Sequence, residues 1–112
     1  MTTLAEKLVD RYLSKSQLLA EASYKRLLAT GKVKSVRATV LGFALVNGEI
    51  SGKNDTERKI QVDAILEANK VWQEATAASA TAEYEYWVAL AEVKAAEAMI
   101  ELQSTPSAQM EA

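Results

Sequence analysis

The sequence predicts an all-α fold, a helical hairpin or three-helix unit built on one long C-terminal helix and packed like a coiled coil. Three observations point there. Ala68, Ala75, Ala82, Ala89 and Ala96 fall seven residues apart, and Ile65, Trp72, Ser79, Tyr86, Val93 and Ile100 keep the same period three residues ahead of them. Together the two series form an a/d heptad seam. No Pro or Gly interrupts residues 54–103, so one continuous helix is expected there. Thr3 and Asn54 are each followed three residues later by Glu, the spacing at which a capping side chain and a returning carboxylate open a helix.

Taken in order, Thr3-Leu4-Ala5-Glu6 starts helix 1. Leu4, Leu8, Tyr12, Lys15, Leu19, Ala22 and Arg26 then follow helical spacing, with Leu18, Leu27 and Leu28 widening the stripe. Gly31 has the character of a C′ residue, because glycine enters the left-handed region at low cost. Helix 1 is therefore expected over about 3–30. Residues 35–48 admit two readings. Ser35 can cap a helix that places Val36, Val40, Phe43 and Ala44 on one face and ends at Asn47-Gly48. The same residues can instead be a strand leading into an Asn-Gly hairpin. The return arm Glu49-Ile50-Ser51 is short and polar, which favours the helix. Gly42 within it costs up to about 1 kcal/mol relative to alanine.

Asn54 caps the long helix, with Asp55 and Glu57 placing negative charge at its positive end. From Ala75 to Ala82 no side chain exceeds Thr in size. This waist is either a close crossing with another helix or a point where the long helix breaks; alanine's helix preference favours the crossing. Pro106 ends any helix, and 104–112 is expected to be a flexible polar tail after a single domain over 1–103.

Composition narrows the chemistry. There is no Cys and no His among the 112 residues. Thiolate nucleophiles, disulfides, Ser-His dyads and imidazole metal sites are therefore absent. Glu83, Glu85 and Glu92 are scattered around their helix and lack the Glu-x-x-His pattern of a di-iron bundle. No catalytic residues, metal or cofactor are expected, and the protein is read as a non-enzyme. No apolar run reaches the ~18 residues of a membrane span, and the first residues lack a signal-peptide core. A soluble, cytoplasmic protein without membrane contact is the expectation.

The net charge of −2 conceals an asymmetry. Residues 1–53 carry nine Lys/Arg against four acids, and 54–112 carry four against eleven. A basic helix lying along an acidic one neutralises both. The alternative is a basic end offered to phosphates. Lys25, Arg26, Lys32, Lys34 and Arg37 cluster around the expected turn at Gly31 with Tyr24 among them, the elements of a nucleic-acid contact. Gly52 and Lys53 at a helix start make a modest anion site, although a tight capped turn explains the same residues. Gly48 and Gly52 are four apart and Asn54 follows Lys53, which is not the phosphate loop of a nucleotide hydrolase.

The segment from Gly48 to Arg58 reads Gly-Glu-Ile-Ser-Gly-Lys-Asn-Asp-Thr-Glu-Arg. It resembles the Gly-x-Ile-x-Gly-Lys-Asn-x-x-Glu-Arg motif of small helical proteins of phage and prophage genomes. In these the motif precedes a long Ala/Glu-rich helix with a Tyr or Trp further along. The resemblance is strong over the loop and helix start and compositional beyond them. It implies an all-α hairpin and a phage setting, with the host cytoplasm as location, and it implies no activity. The leading functional expectation is a phage-derived helical interaction protein that binds a protein partner, as an inhibitor or sequestering protein or as an accessory factor. Trp72, Tyr84, Tyr86 and Trp87 are the partner-binding candidates. Ala75, Ser79, Ala82 and Ala89 are the residues expected to mediate self-association. The alternative is a nucleic-acid or nucleotide-binding accessory module using the basic turn.

Overall fold

A computed structural model describes residues 3–104. The chain is all-α, with α1 at Leu4–Val46, α2 at Asp55–Ala68 and α3 at Lys70–Ser104. Among the described residues there is no strand, so 35–46 is helical and the hairpin-strand alternative does not form. The tail expected at 104–112 lies, beyond Ser104, outside the described residues. The chain divides into two compact units: the residues up to Lys25 together with those from Glu83 onward, and Arg26–Ala82.

The start of α1 is the capping box that its sequence implies. The Glu6 amide donates to Thr3 Oγ1 at 3.1 Å, and the Thr3 amide donates back to Glu6 Oε2 at 3.4 Å. Its end corrects the expected boundary. The helix does not stop at Gly31; it passes through Gly31 and Gly42 to Val46. A Cβ at either glycine would meet nothing within 4 Å, so both lie on open helix surface. The inward row keeps its 3–4 spacing across Gly31: Ala29, Val33, Val36 and Val40 continue the line of Leu19, Ala22 and Arg26, all half-buried. Burial of that row outweighs the single unfavourable glycine. The helix ends at Asn47-Gly48. Gly48 takes φ +75°, its amide donates to Leu45 O, and the Glu49 amide donates to Ala44 O at 2.9 Å. This is a Schellman closure, with Gly48 as the residue that must be left-handed.

In the first unit, α1 and α3 run antiparallel. Tyr12 Oη donates to Glu97 Oε1 at 3.5 Å, and Lys15 Nζ pairs with Glu92 Oε2 at 3.0 Å. Leu8 from α1 and Ala89, Val93 and Ala96 from α3 are its buried residues. In the second unit, Ala44, Leu66, Ala75 and Ala82 are buried.

The expected long helix is interrupted at Asn69. This residue is extended (φ −92°, ψ 117°) and serves both helices. Its amide donates to Leu66 O at 3.0 Å, closing α2, and its Oδ1 accepts from the Trp72 amide at 2.9 Å, opening α3. The Gln73 side-chain amide covers the Glu67 carbonyl that the interruption leaves exposed. These bonds meet several of the polar groups that the interruption frees, as an unsatisfied helix end would be costly. It also re-phases α2: Leu66 is buried, whereas Ala68, assigned to the heptad seam, is exposed. The small-residue waist from Ala75 to Ala82 stays helical. Thr76 and Thr81 direct their hydroxyls to the carbonyls of Trp72 and Ala77, four residues back, and leave the helix intact.

The two glycines and the Asn54 cap give three expected outcomes. Gly31→Ala should raise the urea midpoint, adding about 0.5–1 kcal/mol. Gly52→Ala should lower stability by roughly 1–3 kcal/mol, because its Cβ would lie 2.8 Å from the Arg58 backbone nitrogen. Shifts of the same sign in chemical denaturation would contradict one of the two assignments, and reversed signs would contradict both. Asn54→Ala should cost about 1 kcal/mol, and Asn54→Asp should recover most of it; an Ala variant as stable as the wild type would show the cap to be energetically silent.

Candidate interaction surface

The connector between α1 and α2 holds the densest set of polar contacts in the second unit. Asn54 Oδ1 accepts from the Glu57 amide at 2.9 Å, and Glu57 Oε2 accepts from the Lys53 amide at 2.8 Å. Gln61 Oε1 takes the amides of Ser51 and Gly52 at 3.0 and 2.8 Å. Arg58 donates through Nη1 to Gly52 O at 3.1 Å and through Nη2 to Asp55. Gly52 sits against the Glu57–Arg58 backbone, where a side chain would collide. The amides of 51–53 and 57 are therefore met by the chain's own oxygens, in the places a bound anion would take. The motif from Gly48 to Arg58 is accounted for by turn geometry. Gln61, whose carbonyl stands in for an anion, carried no signal in the sequence because it lies beyond the motif.

The five cations assigned to a turn at Gly31 sit on an unbroken helix, since no turn exists there. Lys25 belongs to the first unit, and Arg26, Lys32, Lys34 and Arg37 to the second. Arg26 is half-buried on the inward row. At 100° per residue, Lys34 and Arg37 leave the helix on a different side from Lys32. Lys53 is exposed beside the capped connector.

The residues expected to mediate self-association are occupied within the chain. Ala75, Ala82 and Ala89 are buried, Ala75 at 4% exposure, and Ser79 is half-buried. The heptad seam is the chain's own packing face.

The aromatic candidates separate. Trp72 is half-buried in the second unit. Tyr84, Tyr86 and Trp87 lie in the first. Tyr86 occupies the seam and is half-buried, whereas Tyr84 is 71% and Trp87 54% exposed. The Tyr86 and Trp87 rings meet edge to face, with centroids 5.3 Å apart at 75°. Trp87 Nε1 donates to Glu83 Oε1 at 2.9 Å. Ring contact and hydrogen bond hold the indole in place, so a partner docking on it orders little extra side chain. Val88, Met99 and Leu102 extend this exposed apolar surface along the same stretch of α3.

The second unit has its own open groove, about 740 Å³, between Val36, Val40 and Phe43 of α1 and Ile65, Ala68 and Val71. Phe43 is 68% exposed there. The spacing predicts Phe43 on one face with Val36, Val40 and Ala44; Ala44 is buried and Val36 and Val40 are half-buried, whereas Phe43, at the edge of that row, is uncovered. Among the described residues, no three acidic side chains gather closely enough to hold a metal ion, and no helix is long and apolar enough to cross a membrane. Comparison with protein-family models, curated proteins and solved structures returns no match.

Proposed function

We propose that this chain is a non-enzymatic helical interaction protein that binds a protein partner through its exposed helix faces. In the phage setting implied by the Gly48–Arg58 resemblance, it acts in the host cytoplasm as an inhibitor or sequestering protein, or as an accessory factor. The observation that carries this reading is the outward pair Tyr84 and Trp87 on α3, next to exposed Val88, beside a core made largely of alanine. Aromatic side chains with a fixed ring and a polar tip are enriched where protein surfaces bind one another. Apolar surface left outside while alanine fills the inside is the reverse of what monomer stability alone selects.

The test is affinity capture from host lysate with the full chain and with a Tyr84→Ser/Trp87→Ser variant. A specific protein retained by the wild type, and lost by at least tenfold with the variant at unchanged helicity, is the expected result. Identical capture by both would remove the aromatic pair from the binding surface. Retention of nucleic acid instead, lost on Lys32→Ala, Lys34→Ala and Arg37→Ala, would favour the accessory nucleic-acid module.

A further inference from the structure

Asn69 is the one residue between Asp55 and Ser104 that lies outside a helix. Its φ of −92° is at the edge of the helical range, and only its ψ of 117° is far from it. A rotation of that torsion would join α2 to α3 as one helix. The broken and the continuous forms bury different residues of α2. On a continuous helix Ala68, seven residues before Ala75, lies within about 20° of it on the buried face. Leu66, nine residues before Ala75, would lie about 180° away from it. With the break the order is reversed: Leu66 is buried at 6% exposure and Ala68 is exposed. Leu66 and Ala68 stand about 200° apart around α2, so one face cannot bury both.

We propose that Asn69 is the latch of a hinge. Its side-chain cap holds the broken form with Leu66 inward, and release of the cap lets the helix run through and turns Ala68 inward instead. The bonds around Asn69 suit such an exchange. The Trp72 amide, taken by Asn69 Oδ1 at 2.9 Å, passes to the Ala68 carbonyl in a continuous helix, so no donor is stranded. The Gln73 amide already donates to Asn69 O at 3.0 Å, the bond that a continuous helix requires. No Pro or Gly between 54 and 103 opposes continuity. At 14 residues α2 is marginal as a separate helix, and joining it to the 35 residues of α3 removes one costly helix start. Against this stand one buried leucine and one cap. Ala64, Ile65, Ala68 and Asn69 form one wall of the open groove in the second unit, so the exchange rebuilds that wall. Tyr84 and Trp87 take no part, and the hinge stands or falls without the partner-binding reading.

The experiment uses the absence of cysteine from the chain. Ala68→Cys supplies a single thiol, whose rate of reaction with an aromatic disulfide reagent reports its exposure. The thiol should react fast with Asn69 in place and with Asn69→Asp, which keeps an acceptor for the cap. It should react at least tenfold more slowly with Asn69→Ala or Asn69→Leu, at equal or higher helicity by circular dichroism. An unchanged rate in both folded variants would overturn the proposal, as would equal protection by Asn69→Asp. Spin labels at Lys59→Cys and Ala77→Cys, without the thiol at 68, give a second measurement. Both positions are exposed, and a continuous helix sets them five whole turns, about 27 Å, apart along its axis. Asn69→Leu should gain a population at that spacing which the capped chain lacks. Identical distance distributions in the two chains would overturn the hinge even if the thiol rates differ.

Discussion

Alanine at the inner face of α3 is the constraint on which the rest of the structure depends. Ala75, Ala82, Ala89 and Ala96 are buried at every seventh position. Burying a methyl group contributes about 0.8 kcal/mol, against 1.5–3 kcal/mol for a buried leucine or valine. No described side chain is completely buried. What small residues give in exchange is proximity, since they let helix backbones approach closely. Stability then leans on backbone hydrogen bonding and well-closed helix ends, which explains why Thr3, Gly48, Asn54 and Asn69 each complete a cap.

The sequence made the fold class and the caps legible because both are local or periodic. The heptad of alanines requires only counting, and Thr3-x-x-Glu6 and Asn54-x-x-Glu57 are short patterns with a fixed geometry. Two boundaries were not legible, for related reasons. Glycine permits a left-handed helix end without requiring one; Gly31 lacks the following amide contacts that close the chain at Gly48, and the inward row continues past it. Asn69 breaks a helix that contains neither Pro nor Gly. Asparagine is tolerated inside helices and favoured at their starts, so only the tertiary phase of Leu66 against Ala68 decides which role it plays.

The same distinction governs the candidate surface. Tyr84 and Trp87 fall off the heptad of Tyr86, and that arithmetic alone directs them outward, where they are found. The groove beside Phe43 is lined from α1 and from both sides of Asn69, a tertiary arrangement that no spacing in the sequence records. The seam alanines are buried within the single chain, and periodicity cannot tell an internal partner helix from an external one. α1, extended through Gly31, supplies the internal one.

The connector from Gly48 to Gln61 has a kinetic consequence. Its hydrogen bonds span at most ten residues in sequence, whereas Tyr12–Glu97 and Lys15–Glu92 join residues 85 and 77 apart. Closing a ten-residue loop takes about 10–100 ns, and distant contacts bear a larger entropy cost before they reward it. The turn is therefore expected to form first and to fix where α1 stops and α2 begins, with the terminal arms meeting last. A motif whose side chains serve its own turn can still constrain the whole molecule, through the order in which the chain assembles.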